Sequence, residues 1–241
     1  MKARPTLLDL FCGAGGAFWG YMQAGFYVTG IDIQPQKHYP GHVFVQRDAL
    51  EYVSQHGHKY DVIHASPPCQ AYSVLKHFSK REHPALVSET RHVIHGIGKP
   101  FVIENVVGAP LHFPLMLCGS MFSLKTPCGA QLRRHRLFES SHLIFAPGEC
   151  NHGQHTIVVA GHDYHNSALR YHRRKARAIT VTGSTPQQNV ERNHIREVFS
   201  VADARIAMEI DWMNMAELSQ AIPPAYTHWI GQQITKGGFF A

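Results

Sequence analysis

The sequence is short of cysteine, with five among 241 residues and no regular spacing between them. An odd, irregular set excludes the disulfide framework of small secreted domains, so each cysteine reads as a reduced thiol. Long apolar runs are missing too. None approaches the roughly 20 residues needed to cross a bilayer, and no membrane association is expected. Met1-Lys2-Ala3-Arg4-Pro5 leads straight into an apolar strand-like run with no signal-peptide hydrophobic region, so a cytoplasmic location is expected. Internal repeats and low-complexity tracts are absent. Acidic residues are the scarcer charge, 17 Asp and Glu against 23 Lys and Arg, for a formal net charge of +6. That balance suits a polyanionic partner held through phosphate contacts and counterion release, although charge alone permits nucleic acid without requiring it.

What is present is ordinary globular material. Apolar residues make up 44% of the chain and charged residues 17%, enough to bury a substantial core in a large domain carrying a small one. In the first two-thirds, short apolar runs at 6–11, 27–33, 42–46, 61–65 and 101–104 alternate with helix-like or loop segments, and a further strand is expected near 136–139. This pattern predicts an α/β fold, a doubly wound and mostly parallel sheet with crossover helices. Between 141 and 200 the character changes: His and Arg become dense, Gly and Asn punctuate, and apolar runs shrink to 156–160 and 178–181. From Val201 the pattern is helical again, and 221–234 carries apolar residues compatible with a helix after the Pro223-Pro224 start signal. The expected organisation is a main domain over 1–141, a small irregular domain over 142–200, and a segment over 201–241 that returns to the first.

Four motifs carry chemistry. Asp9-Leu10-Phe11-Cys12-Gly13-Ala14-Gly15-Gly16 follows a strand and precedes a helix-like segment. Its glycines allow a tight turn and close backbone approach to a ligand, as in a cofactor loop, although a plain βα turn has the same look. Asp32 ends the next strand, where a carboxylate can accept hydrogen bonds from both ribose hydroxyls of a nucleoside, and Asp48 after the third strand is placed to meet an adenine edge. Either could equally be a helix cap. Ser66-Pro67-Pro68-Cys69-Gln70-Ala71-Tyr72-Ser73 closes the fourth strand, and two prolines fix the backbone just before a thiol at the sheet's carboxyl edge. Cys69 is therefore a candidate nucleophile rather than a buried structural cysteine. Glu104 ends the next strand at the same edge, and an acid near a thiolate suits a general-acid or hydrogen-bonding role. Outside these motifs, Cys150-Asn151-His152-Gly153-Gln154-His155, followed by His162 and His165, has ligand-type side chains. It lacks paired CxxC spacing and reads as polar loop, so no metal is expected.

Phe11-Cys12-Gly13-Ala14-Gly15-Gly16, Pro67-Pro68-Cys69-Gln70 and Glu104-Asn105-Val106, in that order, closely resemble the cytosine carbon-5 DNA methyltransferases, in a small phage or bacterial form. With Arg134-His135-Arg136 and residues 218–230 the resemblance extends over most of the chain. It implies a Rossmann-like fold, S-adenosylmethionine as cofactor (S-adenosylhomocysteine as product), double-stranded DNA as partner, and a monomer. The implied chemistry starts from the poor nucleophilicity of cytosine carbon 5. Cys69 adds to carbon 6 and makes the ring enamine-like, while Glu104 hydrogen-bonds ring nitrogen 3 and the exocyclic amine. Carbon 5 then takes the methyl group, and loss of its proton expels Cys69. The target base must first leave the duplex stack.

The same resemblance assigns Phe11, Gly13, Ala14, Gly15 and Gly16 to the cofactor loop, Asp32 and Ile33 to the ribose side, and Asp48 and Ala49 to the adenine side. Pro67 belongs to the same pocket and helps clamp the flipped cytosine. Residues 70–83 correspond to a mobile loop in which Gln70, Ser73, Lys76, Lys80 and Arg81 are DNA contacts. The chain departs from the family twice. The usual Gln-x-Arg-x-Arg places Arg134 and Arg136 on its two arginines, as active-site or phosphate contacts, but Leu132 stands where Gln is expected. Near the carboxyl end, Ser219, Gln220 and Ala221 match a segment that packs beside the cofactor pocket, with Gln220 replacing Asn. The stretch 141–200 occupies the position of a target-recognition domain, and its basic run includes Arg173 and Arg174 as DNA contacts. Two alternatives stay open: the tRNA-modifying branch of the same family, and a binding protein that has lost catalysis.

Overall fold

The computed structural model describes residues 3–72, 84–127, 129–152, 178–179 and 200–237. Seven strands form one sheet in the order β3-β2-β1-β4-β5-β8-β6. They are β1 (Thr6–Leu10), β2 (Tyr27–Asp32), β3 (Val43–Gln46), β4 (Val62–Ala65), β5 (Phe101–Asn105), β6 (Leu115–Leu117) and β8 (Arg136–Ser140). The first five are mutually parallel, and β8 runs antiparallel to β5 and β6. A two-residue β7 (Gln131–Leu132) pairs in parallel with β9 (Ala178–Ile179), the start of the apolar run noted at 178–181. The run at 156–160 lies outside the described residues.

Central strands β1 and β4 are mostly apolar, with Asp9 and His64 the buried exceptions, and are buried along nearly their whole length because helices cover both faces of the sheet. Side-chain alternation then splits the core in two. Leu7, Val28, Val62 and Val102 point to one face, where α1 (Gly16–Gln23), α4 (Val201–Met208) and α6 (Pro224–Lys236) bury Tyr21, Met208 and Tyr226. Leu8, Leu10, Ile63 and Ile103 point to the other, against α2 (Ala49–His56) and α3 (Val87–Ile97), which supply Val53 and Ile94. The two-face pattern defines an α/β doubly wound architecture of Rossmann type.

Contact between α1 and α6 is intimate. A Cβ on Gly20 would meet the Pro224 carbonyl and Thr227 Oγ1 of the facing helix, and Thr227 donates to the Ala17 carbonyl at 2.9 Å. The carboxyl-terminal segment therefore packs on the first helix. Its helix starts at the proline pair that signals it. Ala221 is extended, at φ −67° and ψ 148°, and Pro224 is the first helical residue, because a residue before proline is driven out of the α region. A short α5 (Met215–Gln220) precedes it, capped by Asn214. Ile144 joins the core of the main sheet, while Trp229 Nε1 and Gln233 Nε2 donate to the Phe145 carbonyl at 2.7 and 3.1 Å, so the described residues after β8 pack on α6. No helix among the described residues is long and apolar enough to cross a membrane.

Candidate active site

Parallel order places the ends of β1, β2, β4 and β5 along one edge of the sheet, and the strand order reverses between β1 and β4, where open α/β sheets bind ligands. Because β8 is antiparallel to β5, pairing Asn105 with Leu137, the beginning of β8 reaches that same edge. Residues far apart in sequence thus converge: the glycine turn after β1, Asp32 after β2, Cys69 after β4, Glu104 in β5 and Arg136 opening β8.

The glycine turn is held from three sides. Phe11 and Gly15 have φ of 56° and 85°, and Gly15 caps α1 in the left-handed conformation that favours glycine. Asp32 Oδ2 accepts from the Gly13 amide at 2.9 Å, and its Oδ1 accepts from the Gln34 amide at 2.9 Å. From behind, a Cβ on Gly16 would lie 2.5 Å from the Ile222 carbonyl, so glycine is required where the carboxyl-terminal segment presses on the turn. Trp212 Nε1 donates to the Ala14 carbonyl at 2.8 Å. Ser219, Gln220 and Ala221 end α5 immediately before this contact. Ile33 is 59% exposed, an apolar side chain left open beside Asp32. Asp48 caps α2, accepting from the Glu51 amide at 2.9 Å, which is the capping role that the sequence left open, and Ala49 is buried behind it.

Cys69 follows a turn pinned to its neighbours. Ser66 donates its amide to the Leu10 carbonyl at 3.1 Å, and Asn105 Nδ2, in β5, donates to the Pro67 carbonyl at 2.9 Å. Gln70 just beyond is exposed. Glu104 is buried, and Arg136 Nε lies 2.9 Å from its Oε1. That N–H is off the line of a hydrogen bond, so Oε1 keeps an acceptor or donor position unused. Burial pushes the Glu104 carboxyl above its ordinary range against the pull of Arg136 and Arg134. Burial also pushes the Cys69 thiol up; Arg136 opposes it, Glu104 adds to it, and Arg134 opposes it. At both groups burial and the neighbouring arginine charges pull in opposite directions.

Arg134 and Arg136 part company. Arg134 is buried and donates to the Ala221 carbonyl at 3.0 Å and the Ser219 carbonyl at 2.7 Å, so it braces the carboxyl-terminal segment from the catalytic side. Burial first, then Arg136, brings its guanidinium down to about 9, still charged at neutral pH. Leu132, where the family pattern has Gln, is fully buried in the core. The expected DNA contacts Ser73, Lys76, Lys80, Arg81, Arg173 and Arg174 lie outside the described residues.

Sequence reasoning missed three sets of residues. Asn105 was read only as part of a motif, and its tie to Pro67 needed the β4–β5 pairing to be seen. Asp9 is fully buried at the end of β1 just before the glycine turn, with its carboxyl raised well above the usual range by burial and then by Asp32. The third set, a cysteine and histidine cluster, is taken up below.

A glycine turn, strand-end acid and edge thiol on a Rossmann-like sheet define the methyltransferase fold class. Likeness to solved structures agrees: the Schizosaccharomyces pombe Dnmt2 methyltransferase matches 98% of this chain and 100% of its own at a TM-score of 0.57 and 14% identity. The Entamoeba histolytica methyltransferase EhMeth matches 98% and 99% at 0.55 and 11%. Residues 6–112 match the model of C-5 cytosine-specific DNA methylases. Over 122 residues the chain is 30% identical to the type II methyltransferase M1.HphI of Haemophilus parahaemolyticus, covering 42% of this chain and 32% of that protein. Over 123 residues it is 32% identical to the type II methyltransferase M.XorII of Xanthomonas oryzae pv. oryzae, covering 44% and 29%. The chain thus spans about a third of the length of the curated relatives it matches.

Proposed function

We propose that this protein is a DNA cytosine carbon-5 methyltransferase that uses S-adenosylmethionine and a Cys69 adduct. The observation that carries the reading is the convergence of Cys69, Glu104 and Arg136 at one sheet edge, with Oε1 of the buried Glu104 left without a hydrogen bond. The surroundings fit the cofactor. A Cβ on Gly13 meets nothing within 4 Å, so the turn is open on the side facing the edge, and Asp32 and the exposed Ile33 flank it. When bound, S-adenosylmethionine supplies an electrophilic methyl group on a sulfonium.

The chain's own residues do the rest. Arg136 stabilises the Cys69 thiolate for addition to carbon 6, and Glu104 donates its proton to ring nitrogen 3 as electron density moves onto the ring. After transfer, a base such as water takes the carbon 5 proton, the carbon 5–carbon 6 double bond re-forms as Cys69 leaves as thiolate, and ring nitrogen 3 returns its proton to Glu104. Arg134 acts as a positioning residue through the Ser219 and Ala221 carbonyls. Target choice is assigned to residues 142–200 and the loop 70–83, with duplex DNA as substrate.

The test is covalent capture. Duplex DNA containing 5-fluorocytosine blocks the final proton loss, so the wild type with S-adenosylmethionine should form an adduct that survives denaturing electrophoresis, and Cys69→Ser should form none. Bisulfite sequencing of exposed plasmid reads methylation directly. Methylation confined to tRNA transcripts in a parallel reaction, or adducts in the Cys69→Ser protein, would overturn the proposal.

A further inference from the structure

We propose that Cys118, His135, Cys150 and His152 form a binding site for a zinc ion, a structural staple apart from the candidate active site. Each offers one ligand atom, and all four atoms lie within 4.8 Å of one another. Cys150 Sγ is 2.8 Å from His152 Nε2 and 3.3 Å from His135 Nε2. The two Nε2 atoms are 3.0 Å apart, and Cys118 Sγ is 3.8 Å from His152 Nε2. A tetrahedral zinc ion, with Zn–S of ~2.3 Å and Zn–N of ~2.0–2.1 Å, separates its ligand atoms by roughly 3.3–3.8 Å. The observed spacings bracket that range.

Hydrogen bonding among these groups accounts poorly for the arrangement. Two Nε2 atoms that face each other can share only one proton, and the same two nitrogens also face the Cys150 sulfur. Four lone-pair atoms aimed at one point are what a cation collects. Two cysteines and two histidines match the donor set zinc prefers in structural sites, and a full set of four protein ligands leaves no open position for catalysis.

The fold explains why these four meet. The β6–β8 ladder pairs Leu117 with Arg136, which sets the adjoining residues Cys118 and His135 opposite each other. Cys150 and His152 arrive on the segment after β8, anchored by Ile144 in the core and Phe145 on α6. Ser120 Oγ supports the Cys150 sulfur at 3.6 Å, the kind of outer hydrogen bond that orients a metal ligand. Three separate stretches supply the ligands, so no CxxC spacing appears in the sequence. The consequence is local rigidity. His135 sits between Arg134 and Arg136, and the metal would fix both the entry to β8 and residues 150–152 against β6.

Metal content of the full chain tests this. Protein produced with zinc in the medium should carry one zinc per chain by elemental analysis, and Cys118→Ser and Cys150→Ser should each lose it, whereas Cys69→Ser keeps it. His152, whose Nδ1 is buried without a partner among the described residues, is the arm to exchange. His152→Cys leaves a Cys3His set that zinc also accepts, so this variant should retain the metal. Replacement by cobalt(II) should give the intense visible bands of a tetrahedral, thiolate-bound ion, which needs no variant to fold. Zinc well below one per chain together with no thiolate bands in cobalt-loaded wild type would overturn the proposal, as would equal zinc in wild type and both serine variants. Neither readout depends on methyl transfer, so the outcome is independent of the function proposed above.

Discussion

Asn105 Nδ2 donates to the Pro67 carbonyl at 2.9 Å, tying the turn that carries Cys69 to the strand that carries Glu104. The bond is buried and joins residues 38 apart in sequence, adding a side-chain tie to the β4–β5 pairing between the thiol's turn and the acid's strand. Asn105→Ala should remove that tie at a stability cost of about 1–3 kcal/mol. Turnover should fall by roughly 10- to 100-fold, since small misplacements of reacting groups are costly. Affinity for S-adenosylmethionine should hold, because the glycine turn and Asp32 are untouched. Calorimetry alongside single-turnover methyl transfer separates the two, and a loss confined to cofactor binding would remove the assigned role.

Arg136 is the foremost charge opposing the rise in the Cys69 thiol. Arg136→Ala should therefore push the thiol further up, and thiolate should appear only at higher pH. Alkylation of Cys69 by iodoacetamide, followed by mass spectrometry across a pH series, reads this without any substrate. The midpoint should move to the alkaline side by on the order of one pH unit. An unmoved midpoint would show that burial alone governs the thiol.

His64 is fully buried in β4, with Nδ1 3.0 Å from the Tyr21 hydroxyl, and burial drives it down to about 3 from an ordinary 6.5. Here the unfolded chain binds the proton more readily than the folded one between those values. The stability that neutral His64 brings is thus present above about 6.5 and lost as pH falls toward about 3. His64→Gln cannot take up this proton. Its unfolding free energy should fall less steeply than wild type across that window, by ~1.4 kcal/mol for each pH unit, even though its stability at neutral pH is lower. Urea midpoints at several pH values provide the check, and parallel slopes for the two proteins would sink the argument.

Much of the fold was legible because parallel central strands announce themselves as short apolar runs. The runs at 6–11, 27–33, 42–46 and 61–65 became β1 to β4 with ends shifted by at most one residue at either side. β6 and β7, of three and two residues, escaped notice because their stability comes from β8 and β9 rather than from their own side chains. At the candidate site, Cys69 and Glu104 could be placed from strand ends alone. The separate work of Arg134 could not, since it depends on carbonyls 85 and 87 residues further along the chain. Distance in sequence hid the cysteine and histidine cluster for the same reason.

The bond from Trp212 to the Ala14 carbonyl spans 198 positions, and the Ile222 carbonyl backs Gly16 from just as far away. On a ribosome adding roughly 5–20 residues per second, the glycine turn emerges on the order of 10–40 s before the residues that brace it. A nascent chain halted before Trp212 would have the sheet but an unbraced turn. The protein therefore completes its ligand edge only after Trp212 and Ile222 have emerged, and until then the chain should be a poor trap for the cell's cofactor.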